Sequence, residues 1–580
     1  MPRGFDAASN RRRRIRRPFL LSRFNGLNDD SNNEALDDRD LRTCENVFNE
    51  RANLMRSRFG YHRDPFGAAL NSGEDITGIW DFRSRRDGEN NPIFAAGNTI
   101  YREDPAGDPS TATAITGGTA FSSGQDNVLT AASFKDQLIL AGDTAVPQVI
   151  NFDATSKADI SGWFADARQP KFVHSQFNYL FFAGYDLGAT ARTDTYNEMT
   201  VNYSGLNDEG TWIEENVIDK IGGLSSYGDE YVTALFRHRD FMMVGTNRRI
   251  YPVTYTGDNY QRFVIQRPIN IGVAHQRAVI SINGEFTFVM DPEGEIHQIR
   301  DAVVAFGDVG VRSVSRKIRN YVNNMNKSRV QYAHGTFWEE RGWCVWSVSQ
   351  GAAIGANNEL IILDVNDFPL TDPRPEDARW YRWKNVAANA MNIMRRDGDG
   401  TLDESDEIQN ESEPDVTGGQ YLMFGSQTGW VKRFTPVISY DHDDSGNQDS
   451  IQSKLQTKFF DFGLLDVQKS VSEAHWTMEP ASDDPGPNAT WVYDFGQIQS
   501  RTVQVDRSAN AQSGDLLGTT FVLDTSTLGG VESISRSKDY FTNAGTEASL
   551  RLEQNVSGAI AWKLQSVTAV VELRGEVPEV

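Results

Sequence analysis

The sequence predicts an all-β protein: a β-propeller of about seven blades followed by a C-terminal antiparallel β-sandwich-like domain, with one short amphipathic helix. Three observations carry this reading. A strand–turn–strand pattern recurs at intervals of roughly 40–50 residues. Glycine is abundant, 49 of 580 residues, while only 39% of the chain is hydrophobic, a mix that suits many short strands joined by turns. Beyond residue 436 the texture changes to longer, alternating strands with no helix signal.

Residues 1–62 read as a basic arm and a β-hairpin. The arm carries Arg11, Arg12, Arg13, Arg14, Arg16 and Arg17, the strong basic cluster of the chain. The hairpin is CENVFNERANLMRSRFGY at 44–61. Val47–Phe48 and Leu54–Met55 flank a polar turn, Glu50–Asn53, and Arg56 and Arg58 follow.

The propeller is expected over 63–435. Its pattern appears as PIFAAGNTIYR at 92–102, QLILAGDTAVPQVINF at 137–152 and NYLFFAGYD at 178–186. It returns as FMMVGTNRRIYPV at 241–253, FTFVMDPEGEIHQI at 286–299 and LMFGSQTGWVKRF at 422–434. Gly97, Gly142, Gly184, Gly245 and Gly425 mark the turns, and GWCVWSVS with LIILDV fills the gap before the last. Insertions fall near 187–230 and 395–418. The competing fold is a β-sandwich with regular hairpins. The sustained period favours the propeller, because each small sheet buries its two faces only by stacking on neighbours. In SVSRKIRNYVNNMNK, Val314, Ile318, Val322 and Met325 fall at helical spacing with Ser313 as the N-cap, a surface helix packed on a blade. SYDHDDSGNQDS reads as a polar linker, and 451–580 as a separate antiparallel β-domain.

The formal net charge is −23 and the pI near 4.8. A surface that acidic repels DNA and membranes within a Debye length, yet it suits a wall past which DNA must slide without sticking. Two cysteines, Cys44 and Cys344, give neither a disulfide framework nor a cysteine metal site. No apolar run approaches the ~18 residues of a membrane span. The N-terminus has charge without an apolar core, so a soluble protein made in the cytoplasm is expected.

No phosphate-binding GxxxxGKS loop, HExxH pair or GxSxG elbow occurs, and a non-enzymatic protein is expected. The eight histidines are scattered, none beside a second ligand at metal spacing. The sharpest local signal is RRDGDGTLDESDE at 395–407. With Gly400 as loop glycine, Asp397, Asp399, Thr401, Asp403 and Asp406 fall on calcium-ligand positions of an EF-type loop. Arg395 occupies the first ligand position, however, and a solvated acidic loop is the favoured reading. Ca²⁺ is the one cofactor the residues suggest. Two further function classes stay open: a propeller lectin or glycoside hydrolase acting on host surface polysaccharide, and a secreted Ca²⁺-dependent adhesion protein.

The segment FNGLNDDSNNEALDDRDLRTCENVFNERANLMRSRFGY resembles the N-terminal signature of tail nozzle proteins of short-tailed bacteriophages, also described as tail tubular or DNA-stabilisation proteins. The matching residues are Gly26-Leu27-Asn28, Asn46-Val47, Leu54, Arg58 and Gly60. EFTFVMDPEGEIHQI, followed by SVSRKIRNYVNNMNKSRVQYAHGTFWEERGWCVWSV, is similar to the family's blade turn, short helix and aromatic strand. TKFFDFGLLDVQKSV resembles the start of its C-terminal β region. The resemblance implies a virion protein, a ring homo-oligomer, typically a hexamer, at the distal end of the tail. Its partners would be the adaptor or head-to-tail connector, tail fibre or spike proteins, and the genomic double-stranded DNA in its lumen. On this reading the arm arginines with Arg56 and Arg58 serve interface or phosphate contacts, and the acidic excess includes the channel wall.

Overall fold

The computed structural model describes residues 16–51, 54–63, 66–86, 90–103, 111–142, 144–185, 197–218, 229–258, 261–299, 311–352, 354–395, 420–436, 438–463, 467–479, 486–506, 535–554 and 562–574. The chain divides into two compact units, one of residues 59–449 and one of residues 1–58 with 450–580.

Residues 59–449 form a seven-bladed β-propeller, the fold the repeat predicts. Blade one spans Ile76–Arg83 to Ala112–Ile115, and blade two Thr130–Phe134 to Lys157–Asp159. Blade three comprises Pro170–Gln176, Tyr179–Tyr185 and Val201–Tyr203. Blade four runs from Val232–His238 to Phe263–Ile265, and blade five from Ile280–Ile282 to Val311–Ser313. Blade six runs from His334–Trp338 to Arg379–Lys384. All of these sheets are antiparallel. The second strands explain why the repeat reads as unbroken apolar runs. Tyr179–Tyr185 and Trp343–Val348 are buried at every position, because adjacent blades cover both faces of each sheet.

Blade seven is assembled from both ends of the unit. Ala390–Arg395, Gln420–Gly425 and Val431–Phe434 come from its C-terminal part, and the strand Tyr61–Arg63 closes the blade, pairing Tyr61 with Phe434 and Arg63 with Lys432. Tyr61–Arg63 therefore belongs to the propeller and not to a separate N-terminal hairpin. Nor is the stretch after 436 a free linker. Tyr440–His442 joins the same sheet, pairing in parallel at Tyr61 with Asp441. Both expectations fail for one reason: unpaired strand edges take up whatever segment lies within reach. The insertion near 395–418 lies almost wholly outside the described residues, as do 186–196 and 219–228 of the insertion near 187–230.

The amphipathic segment is a turn Arg316–Ile318 running into a helix Arg319–Asn323, connecting blades five and six. Val314, Ile318, Val322 and Met325 are all buried, while Arg316 and Arg319 are exposed, as the spacing predicts. Ser313 is not the cap. It ends a strand, and Ser315 stands at the cap position, where its Oγ accepts instead from the backbone N–H of Ile296 at 3.0 Å.

The second unit holds two sheets, antiparallel except where Gly26–Leu27 pairs in parallel with Asp40 and Leu41. One contains Val47–Arg51, Leu54–Ser57, Lys563–Arg574, Gln468–Met478 and Ser535–Tyr540, and Arg16–Ser22 pairs with residues 566–572 of its central strand. The other contains Asp40–Glu45, Ser453–Thr457, Ala548–Gln554 and Asn488–Tyr493. The Tyr493 hydroxyl of the second sheet accepts from the Val471 N–H of the first at 3.2 Å. Trp476, Trp491 and Trp562 are buried in this unit. Residues 451–580 are thus not a domain by themselves: N-terminal strands contribute to both sheets.

Candidate functional site

The N-terminal signature is a network of constrained positions. Asn46 adopts φ 54, a left-handed conformation that asparagine tolerates better than most residues. Its amide donates to the Gln452 carbonyl at 2.7 Å, and its Oδ1 accepts from Arg58 Nε at 3.0 Å. The Arg58 backbone N–H returns to the Asn46 carbonyl at 2.8 Å. Arg58 is 1% exposed and Arg56 7%. Arg56 donates from Nη1 to Glu50 Oε1 at 2.6 Å. Burial raises the Glu50 carboxyl, but Arg56 and Lys563 outweigh it and hold Glu50 below the usual carboxylate range. Arg56 and Arg58 are therefore interior residues of the chain. They do not present the interface or phosphate-contacting surface expected of them, because the hairpin folds them against its own polar partners.

Arg16 does lie at the surface. Its guanidinium reaches Glu572 at 2.8 Å and Glu473 at 3.4 Å, and Arg17 beside it is exposed. Arg11, Arg12, Arg13 and Arg14 lie outside the described residues, as does the loop holding Asp397, Asp399, Thr401, Asp403 and Asp406. A different metal-capable group was missed. At the turn of blade five, oxygen and nitrogen atoms of Asp291, Glu295 and His297 lie within 4.8 Å of one another. The hairpin DPEGEIHQI brings together residues four and six apart, so this histidine does stand beside carboxylates. The pairing of His297 Nε2 with Asp291 Oδ2 at 3.1 Å closes the cluster on itself.

The most unusual electrostatics lie among the first strands of the blades. The turn Gln276–Ala278 precedes blade five. Gln276 donates to the Val173 carbonyl of blade three at 2.8 Å and accepts from the Leu235 N–H of blade four at 3.2 Å. Arg277 Nη2 donates to His334 Nδ1 of blade six at 2.8 Å and to the Asn389 carbonyl. His334 Nδ1 also accepts from the Met391 N–H of blade seven at 3.0 Å, so this neutral ring carries its proton on Nε2. Nε and Nη1 of Arg277 are buried with no partner. Burial pushes Arg277 down to about 9, which still leaves it charged at neutral pH. Burial, together with the Arg277 charge, pushes His334 well below its ordinary range and His275 to about 3. A cavity of about 140 Å³ lies beside Arg277 and His334, walled by Gly78–Trp80 of blade one and Leu129–Ala131 of blade two. Blades one, two and six share this cavity, which places it in the central channel.

One prediction follows for His275. Its ring accepts from the Arg277 N–H at 3.1 Å. Its pKa is about 3 in the folded chain and about 6.5 unfolded, so only the unfolded chain takes up a proton as pH falls below 6.5. Stability is then lost at about 1.4 kcal/mol per pH unit from this residue. His275→Asn keeps an acceptor at that position. Urea denaturation at pH 7 and pH 5 should show the variant losing about 2 kcal/mol less than the parent over that interval. Equal losses would refute the assignment.

No family model matches the chain, and no curated protein matches it in sequence. Among solved structures it is similar to YCF48 from Cyanidioschyzon merolae, at 11% identity and a TM-score of 0.37, over 65% of this chain and 99% of that one. It is similar also to the β-propeller domain of Cps50 (Swd1) from Myceliophteria thermophila, at 10% identity and a TM-score of 0.40, over 64% of this chain and 98% of that one.

Proposed function

We propose that this protein is a structural virion component: a ring-forming nozzle at the distal end of a short phage tail, which continues the DNA channel, helps retain the genome and then releases it. What carries the reading is the N-terminal signature, whose residues sit where their identity matters. Gly26 adopts φ 96. Asn28 is buried and donates to Asp40 Oδ2 at 2.7 Å. Asn46 and Arg58 close the hairpin, and Gly60 packs against the backbone of Tyr440. These residues of the signature are ones this fold puts to use, which supports reading the resemblance as more than shared composition.

The propeller axis is no route for DNA. The turn Gln276–Ala278 bonds across to blades three, four and six, through Val173, Leu235 and His334, so side chains fill the space between the first strands. The conduit therefore lies between subunits, enclosed by head-to-tail interfaces that close a ring. The net charge of −23 suits a lumen wall along which DNA slides. The adaptor above and the fibres or spikes beside the ring are its protein partners. The basic arm serves assembly: guanidiniums pair bidentately with carboxylates of a neighbour, whereas many phosphate contacts would retard ejection.

Negative-stain electron microscopy of the purified protein and of virions is the direct test. Rings with a central opening, found at the tail tip, are expected. A monomer that turns over or binds surface polysaccharide would replace this reading. Deleting residues 1–15 removes Arg11–Arg14 while sparing the Arg16–Ser22 strand. It should impair particle assembly more than genome retention in assembled particles. Normal assembly with leaking genomes would instead put the arm on DNA.

A further inference from the structure

We propose that the central cavity of the propeller binds a small oxyanion, a phosphate- or carboxylate-class ion held against Arg277. The inference stands whether or not the chain forms a ring.

Arg277 carries a full positive charge at 8% exposure. Its hydrogen-bond partners, His334 Nδ1 and the Asn389 carbonyl, are both neutral acceptors. Among the described residues no carboxylate pairs with it. Buried guanidiniums are ordinarily paired with anions, since an uncompensated interior charge is costly. Two further nitrogens of the same group, Nε and Nη1, are buried and unpartnered. Each unmade hydrogen bond adds to that cost.

The surroundings favour an anion over a cation or an apolar ligand. His334 is held neutral with its proton on Nε2, available to donate, because its other ring nitrogen already accepts twice. Ile79, Leu129 and Ala131 supply an apolar wall, and low polarity strengthens any ion pair formed there. A volume of about 140 Å³ exceeds the ~30 Å³ share of one water several-fold, so a tetrahedral ion fits. An oxyanion offers several acceptor oxygens, enough to take N–H groups from Arg277 and His334 together. Chloride offers one centre and no such spread. The turn that carries Arg277 is tied to blades three, four, six and seven, so neutralising this charge stabilises the ring of blades as a whole.

The test uses the full-length protein, first stripped of oxyanions by exchange into a chloride buffer. Titration calorimetry with inorganic phosphate, and separately with acetate, should give saturable one-to-one binding of at least one of them. The thermal midpoint should rise with the logarithm of its concentration. Potassium chloride at matched ionic strength should give no comparable rise. Ala131→Leu fills the cavity and touches none of the hydrogen bonds, so it should fold normally and abolish binding. Arg277→Met should weaken binding roughly ten- to a hundredfold. Crystals soaked in selenate should show the anomalous peak within hydrogen-bond distance of Arg277. The proposal is overturned by an absence of saturable binding, by unchanged binding in Ala131→Leu, by an equal effect of chloride, or by a selenate peak elsewhere.

Discussion

Gly60→Ala should destabilise the propeller by roughly 3–5 kcal/mol, the cost of a forced backbone shift at a packed site. A Cβ at residue 60 would stand 1.7 Å from the Tyr440 carbonyl oxygen and 2.5 Å from its carbon. Neither strand can retreat. The Gly60 N–H donates to the Ile438 carbonyl at 2.6 Å, and its own carbonyl accepts from the Thr435 N–H at 3.0 Å. On one side Phe59 is fully buried, with Trp338 and Trp383 at centroid distances of 5.8 and 5.3 Å. On the other, Tyr61 is already paired with Phe434. Losing this strand uncovers the edge of Val431–Phe434 and opens the blade in which the two ends of the unit meet. Gly67→Ala is the control, because a Cβ there meets nothing within 4 Å. Calorimetric or denaturant melts should separate the two variants widely. If both melt like the parent, the closure is not where the structure puts it.

The second large effect concerns the other unit. Arg58→Met should cost about 2–4 kcal/mol, because it strips a charge-assisted donor from a buried acceptor and leaves Asn46 Oδ1 without it. Asn46→Gly removes the same bond from the other side and tolerates φ 54 without strain. The two changes combined should cost clearly less than their sum, with a coupling of about 1.5–3 kcal/mol. Additive losses would mean that the pair does not act as one unit. Arg58→Lys should fail to rescue, since the contact is made by Nε of a planar guanidinium, a donor lysine lacks.

Much of the propeller was legible because its signals are local. Continuous apolar runs such as QLILAG and YLFFAG report strands covered on both faces, and a turn such as Gly97-Asn98 is written in residues that favour turns. Gly425 shows why a glycine ends such a strand: a Cβ there would meet Ile76 of blade one at 2.2 Å. The helix face was legible for the same kind of reason, since Val314, Ile318, Val322 and Met325 repeat at the helical period. Its cap was not, because Ser313 and Ser315 suit the position equally by composition, and only the pairing that draws Val311–Ser313 into blade five sets Ser315 at the start of the turn.

Arg56, Arg58 and Arg277 were illegible as interior residues. Arginine is mostly exposed in folded proteins, and a short basic stretch in sequence gives no hint of which acceptor the fold will bring against it. Asn46 lies 12 residues from Arg58, and His334 lies 57 residues from Arg277. Asp291, Glu295 and His297 escaped notice because they lie on a strand–turn–strand segment that matches no metal-loop motif, and they become a cluster only once the hairpin of blade five has turned.

By itself, then, the sequence determined the all-β class, the near-sevenfold repeat, the position of the helix and the change of texture after 436. Each of these is set by the period of apolar residues and the chemistry of turns over a few neighbours. The tertiary structure alone decided that Tyr61–Arg63 completes blade seven, that Arg16–Ser22 and Asp40–Glu45 complete the sheets of the second unit, and that Arg277 stands charged beside a central cavity. The physical reason is that a strand edge or a buried guanidinium is satisfied by hydrogen-bond partners hundreds or tens of residues away. Which partner arrives depends on how the whole chain closes, and no local pattern records it.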